Sequence, residues 1–195
     1  MTFKKAILAL AIALGITTSA HATLLTFENV GGGSYTALGN SYEGFSWSNA
    51  NAILASAFSG FQGIPQGLIS GTHVVINGTF GQSSFSSANL FSFNSGYFTS
   101  FDGSGTQLTV EGWVNNVLVG VQHFNISDRF ATFISFDQSI FGSVNKVTFN
   151  NNPNALVFDN LTVNGATNVP EPASLALLGL GLAGLVVSRR KNKQQ

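Results

Sequence analysis

Along most of this chain apolar and polar residues alternate with a period of two rather than recurring every three or four positions. The clearest run has Leu108, Val110, Gly112 and Val114 alternating with Thr109, Glu111 and Trp113; Asn115-Asn116 and then Val117, Val119 and Val121 follow. Successive side chains of a strand point to opposite faces, so the pattern predicts two strands that each bury one face. Asparagine tolerates positive φ, which makes Asn115-Asn116 a two-residue primed turn and the stretch a tight hairpin. Shorter runs predict strands at 24–28, 42–48, 72–76, 78–80, 89–95, 97–101, 130–137, 146–150 and 155–163, with Phe45 and Trp47 on one face and the 89–95 and 97–101 strands paired around Gly96. Gly31-Gly32-Gly33 ends the first of them. Residues 51–71 are poorly patterned, and Gly63, Pro65 and Gly67 oppose regular pairing, so Phe58, Phe61 and Ile64 read as core residues under a long loop. Strands without intervening crossover helices predict an all-β fold, an antiparallel β-sandwich.

Both ends break the pattern. Lys4 and Lys5 precede an apolar run over 6–16, and Ala20-His21-Ala22 has the A-x-A form of a secretory signal-peptide cleavage site, so residues 1–22 read as a signal peptide and the mature chain starts at Thr23. A retained anchor would need a longer apolar run. At the other end, Val169-Pro170-Glu171-Pro172 forms an extended link, because each proline removes a backbone donor and restricts the residue before it. Residues 173–187 then carry no charge. As a helix they reach roughly 22 Å against a hydrocarbon core of about 30 Å, a length at which a buried soluble helix competes with a transmembrane one. Arg189, Arg190, Lys191 and Lys193 follow at once and favour the transmembrane reading, since they can snorkel to headgroups on the cytoplasmic side. The chain thus divides into 1–22, a β-domain at 23–167 and a C-terminal signal at 168–195.

Setting these ends aside changes the charge. Only Arg129 and Lys146 remain basic between residues 23 and 168, against seven acids, so the body carries a net charge of −5 where the whole chain is neutral. A nucleic-acid partner, which needs clustered Lys and Arg, is excluded on that ground. The chain has no cysteine, which rules out disulfides and thiolate chemistry even in an oxidising compartment.

Val169-Pro170-Glu171-Pro172-Ala173-Ser174, the apolar helix and the basic terminus, in that order, resemble the PEP-CTERM sorting signal of exopolysaccharide-producing Gram-negative bacteria. The same segment is also known as an ice-binding protein C-terminal domain, a label that implies no ice binding. The resemblance implies recognition by exosortase, a membrane-embedded cysteine transpeptidase, with cleavage near the Pro-Glu-Pro. It further implies a transient stay in the inner membrane, then delivery to the envelope surface or an extracellular polysaccharide matrix such as a biofilm. The body, through residues 25–30, 106–121 and 156–163, resembles jelly-roll domains of PEP-CTERM proteins that are similar to carbohydrate-binding modules. In such modules the first and last strands lie side by side and acids at their ends can share a structural calcium. Glu28 and Asp159 occupy those positions, with backbone carbonyls around 31–34 as further ligands. The alternative is two solvated acids at strand ends.

Sugar recognition uses aromatic rings as flat platforms, for which Trp47, Trp113, Tyr42 and Tyr97 are candidates. Trp113 stands out, opposite the valine face of the hairpin and beside Glu111; core packing is the competing role for each ring. Catalytic signatures are sparse. His73 and His123 are isolated, neither G-x-S-x-G nor H-E-x-x-H occurs, and only Asp102, Glu111 and Asp128 offer a carboxylate pair for glycoside hydrolysis. The expected function is therefore that of an exported, non-enzymatic surface or matrix protein associated with exopolysaccharide. A carbohydrate-binding module with a defined glycan, or a polysaccharide-degrading enzyme, are the alternatives.

Overall fold

Two antiparallel sheets face each other across a core built largely of phenylalanine. The computed structural model describes residues 22–78, 81–101, 106–151 and 155–164, so the signal peptide and the C-terminal signal lie outside the described residues. The strands are β1 (Thr23–Leu25), β2 (Tyr35–Ala37), β3 (Ser46–Ser48), β4 (Ala50–Leu54), β5 (His73–Asn77), β6 (Ser83–Phe91), β7 (Phe93–Ser100), β8 (Thr106–Val114), β9 (Val117–Ile126), β10 (Thr132–Ser135), β11 (Val144–Asn150) and β12 (Leu156–Val163). The larger sheet runs β10-β7-β12-β5-β4-β2, with β1 also on β12; the smaller runs β3-β6-β11-β8-β9. First and last strands are neighbours, and the all-β sandwich is the architecture expected of a jelly-roll-like domain.

The core follows from alternation. Trp47, Phe85, Val147 and Phe149 point inward from the smaller sheet, and Phe98, Leu156, Phe158 and Leu161 from the larger. Phe85 stacks on Trp47 at 4.9 Å between ring centroids and on Phe149 at 5.8 Å, while Phe158 meets both Trp47 and Phe149 from the opposite sheet. Phe27 takes φ +61°, a conformation costly for a bulky residue by about 1–2 kcal/mol. Its ring is fully buried against Tyr42, Trp47 and Phe158, a gain of about 1.5–3 kcal/mol that offsets the strain.

The β8–β9 hairpin forms as its sequence predicts: Asn115 and Asn116 have φ 49° and 66°, a primed turn, and Leu108, Val110 and Gly112 face the core. The valines of β9 do not continue that face. A register shift after Gly112 pairs Trp113 with Leu118, which leaves Val119 as an extra residue and puts Val121 opposite Glu111 on the outer face. Because β9 is an edge strand, Val117 and Val119 stay exposed.

The pair expected around Gly96 is not formed. β6 and β7 belong to different sheets, the chain crossing between them at Ser92, and Gly96 lies inside β7 where a Cβ would collide with the Leu161 side chain. Residues 51–71 are also more regular than expected. β4 is followed by a 3₁₀ turn (Ala55–Phe58) and a short α-helix (Gly63–Gly67), which cover the outer face of the larger sheet. Ile53, Ile64, Val74, Ile76 and Val157 form a second apolar cluster there. Gly63 and Gly67 permit the close approach, since a Cβ at either would strike Ser100 O or the Val157 and Thr99 side chains.

Phe85→Ala removes the ring common to most of these stacks and is expected to cost about 3–5 kcal/mol in chemical denaturation, whereas Leu90→Ala, at an exposed site, should stay within about 0.5 kcal/mol.

Candidate functional site

The same period of two that buries Trp47 and Phe85 turns their neighbours outward. Ser46 and Ser48 flank Trp47 on β3, Ser84 and Ser86 flank Phe85 on β6, and Lys146 and Thr148 flank Val147 on β11. Strand register aligns them into two rows across the sheet, Ser46–Ser86–Lys146–Trp113–Leu118 and Ser48–Ser84–Thr148–Glu111–Val121. Over β3, β6 and β11 lies an open groove of about 560 Å³ whose lining includes these four serines, Lys146, Asn40 and three further asparagines.

Hydrogen bonds fix one end and one side of the groove. At the hairpin tip Asn115 N–H donates to Asn145 Oδ1 at 3.1 Å, and Asn145 Nδ2 donates back to Asn115 Oδ1 at 3.0 Å. On the β8 side Trp113 Nε1–H donates to Thr148 Oγ1 at 3.3 Å, and that hydroxyl donates to Glu111 Oε2 at 2.7 Å. The relay spans two positions of β11, which lays the half-buried indole across the outer face. Hydroxyls, amides, one ammonium and a flat ring are the donor and acceptor set that a polyhydroxylated ligand matches.

Of the four aromatic candidates, Trp113 stands on this face. Trp47 is a core ring, 6% exposed, with Phe85 and Phe158 stacked on it and its Nε1–H on the Tyr42 carbonyl, so it offers no open face to a ligand. Tyr42 packs with it against Phe27. Tyr97 lies on the other sheet beside Phe133 of the edge strand β10, remote from the groove in the fold. The serine rows and Lys146 were not legible as a site, because serine in a strand reads as an ordinary solvent-facing residue; the signal that could have found them is a single polar face shared by three separated strands.

Glu28 and Asp159 do come together on one segment, but what they bind is backbone. β12 pairs with β5 up to Phe158 and with β1 from Leu161, so its partner changes at Asp159–Asn160, where Asn160 takes φ +51° in a bulge. Asp159 Oδ2 accepts N–H groups of Ile69 at 2.9 Å and Ser70 at 3.1 Å, and Oδ1 accepts that of Asn160 at 2.7 Å. Glu28 Oε1 accepts the N–H groups of Thr72 and His73, both at 3.0 Å; Oε2 accepts the Thr72 hydroxyl at 2.9 Å and lies 3.5 Å from His73 Nδ1. Gly71 between them has φ +62°, and a Cβ there would overlap the Glu28 carboxylate. Calcium takes roughly six to eight oxygens. All four carboxylate oxygens here already face N–H or O–H hydrogens, and among the described residues no group of three metal-ligating side chains occurs. The pair does not fit a calcium ion; it closes the 69–73 segment onto β12.

Burial pushes the Asp159 carboxyl up to about 6 despite its three N–H donors, with the Glu28 charge adding to the rise. Partial burial acts in the same sense on Glu28, but the hydrogen bonds from His73 and Thr72 outweigh it and hold that carboxyl below its usual range.

Among the described residues the two histidines do not form a nucleophile–base–acid relay. His73 uses the same Nδ1 toward both Thr72 and Glu28, and the Thr72 hydroxyl donates to the Glu28 carboxylate rather than to the imidazole. His123 Nδ1 is 3.0 Å from the Thr109 hydroxyl. Asp102 lies outside the described residues.

The tail supplies the class of protein: residues 168–191 match the PEP-CTERM protein-sorting motif. The chain is thus an exported protein whose C-terminal signal directs processing by an exosortase and association with the cell envelope. Among the described residues no helix is long and apolar enough to cross a membrane, and 173–187 lies outside them. No curated protein matches the chain. Among solved structures, the N-terminal CBM22-1–CBM22-2 tandem domain of Paenibacillus barcinonensis Xyn10C is similar over 80% of this chain and 48% of its own, at 15% identity and TM-score 0.46. TmCBM61, solved with β-1,4-galactotriose, is similar over 63% and 88% (6% identity, TM-score 0.38), and the agarase AgWH50C over 64% and 24% (13%, 0.36). The chain covers about half the length of the first of these and a quarter of the last.

A raised carboxyl binds its proton more tightly folded than unfolded, so Asp159 makes stability fall as pH rises from its ordinary value near 4 toward 6. Glu28, with a lowered carboxyl, contributes stability that is complete above its ordinary 4.5 and lost only below it. Denaturation at about pH 4.5 and pH 7 should therefore show a loss of about 2 kcal/mol on raising pH, absent in Asp159→Asn; an unchanged slope in that variant would contradict the assignment.

Proposed function

We propose that the protein is an exported, non-enzymatic glycan-binding protein, carried to the envelope surface or the surrounding polysaccharide matrix by its sorting tail, where the groove of the smaller sheet holds a polysaccharide segment. The observation that carries this reading is the groove itself, lined by serine hydroxyls, an asparagine cluster and Lys146, with Trp113 outside that lining as the cross-strand neighbour of Lys146. An extended polymer suits an open groove better than an enclosed pocket would, because it can enter and leave without the ends of its chain being captured. The non-enzymatic part is supported by Glu111 being tied to Thr148 and Gln82 and by the histidine geometry above.

Binding of the full chain to a glycan array is the test. Trp113→Ala should abolish retention on the glycans that wild type selects while leaving the fold intact; wild-type retention that survives Trp113→Ala removes the groove from the reading. For the tail, deletion of residues 170–195 should leave the protein exported through its signal peptide but no longer at the surface, checked by fractionating envelope and medium. Unchanged localisation would separate the tail from sorting.

A further inference from the structure

We infer that the groove prefers an acidic glycan, and that Lys146 receives its carboxylate. This rests on the glycan-binding reading and specifies its ligand class. Lys146 is one of two basic residues in the β-domain, and among the described residues its ammonium makes no ion pair and no hydrogen bond. Elsewhere in the domain such a cation would find acids in excess, since they outnumber the bases seven to two. Here its cross-strand neighbours are Ser86 on one side and Trp113 on the other, and Asn145 precedes it. The nearest acid on the same face, Glu111, sits in the next row and is held by Thr148 and Gln82 rather than by Lys146.

The spacing suits a uronic acid. Trp113 and Lys146 stand on adjacent strands, about 4.8 Å apart in the hydrogen-bonding direction. A pyranose ring lying on the indole therefore carries its exocyclic carboxylate over Lys146, while Ser86, Ser46 and the asparagines meet hydroxyls of the next sugar. The β-domain's charge of −5 opposes a polyanion, but at physiological salt charges beyond about 8 Å are largely screened, whereas a carboxylate seated on Lys146 is not. Among the described residues of this face, the one acid close to this position is Glu111, in the next row, and its carboxylate is occupied by the Thr148 and Gln82 donors.

The test compares polygalacturonate, alginate and hyaluronate oligomers with their carboxyl-reduced, neutral counterparts, titrated against the full chain in detergent micelles. At least one acidic oligomer should bind roughly ten-fold more tightly than its reduced partner. Lys146→Gln should bring that ratio close to one, and Lys146→Arg should preserve it. Equal affinity for both members of every bound pair, or a ratio that survives Lys146→Gln, overturns the inference and leaves the glycan-binding reading standing. Failure of all acidic and neutral oligomers to bind overturns both.

Discussion

The stacked rings of Trp47 and Phe85 anchor the strands beneath the groove of the smaller sheet. Each sits between two outward serines of its own strand, so the backbone that carries those serines cannot shift without shifting the buried ring between them. Because Phe85 also contacts Phe45, Phe91, Phe93 and Phe149, the groove floor is as rigid as the centre of the molecule. Under the proposed glycan binding, such a backbone leaves little conformational entropy to be lost when a ligand docks.

The larger sheet depends on a different device. Where β12 changes partner from β5 to β1, backbone N–H groups of the 69–73 segment face no strand, and two carboxylates take the place of the missing carbonyls. The left-handed conformation of Phe27, two residues after β1, is part of the same arrangement, because it buries the ring and turns the following Glu28 toward that segment. Acids that resemble metal ligands by position in the sequence are here acceptors for the main chain, a distinction that depends on which donors the fold brings near them.

What could be read from the residues alone follows the same physics. The β8–β9 hairpin was legible because one face of β8 is buried and the other wet, and because two asparagines accept positive φ. β4 was obscure because both of its faces are covered, by the core on one side and by residues 55–68 on the other, so Ala50, Asn51, Ala52 and Ile53 show no alternation, whereas the apolar run of β5 was legible as a strand at 72–76. Gly96 resembled a turn, yet serves to admit Leu161. The sorting tail was read at once, being a linear signal. The groove was not, because its residues are gathered from β3, β6 and β11, strands more than thirty positions apart in the chain, and only register reveals that they share a row.

The pairing of Thr23 with Val163 has a mechanical meaning. Any load applied through the C-terminal segment reaches β12 first, and β12 is flanked on both edges, by β7 on one side and by β5 and β1 on the other. A pull directed along that strand must shear several rows of hydrogen bonds together instead of peeling an edge one bond at a time.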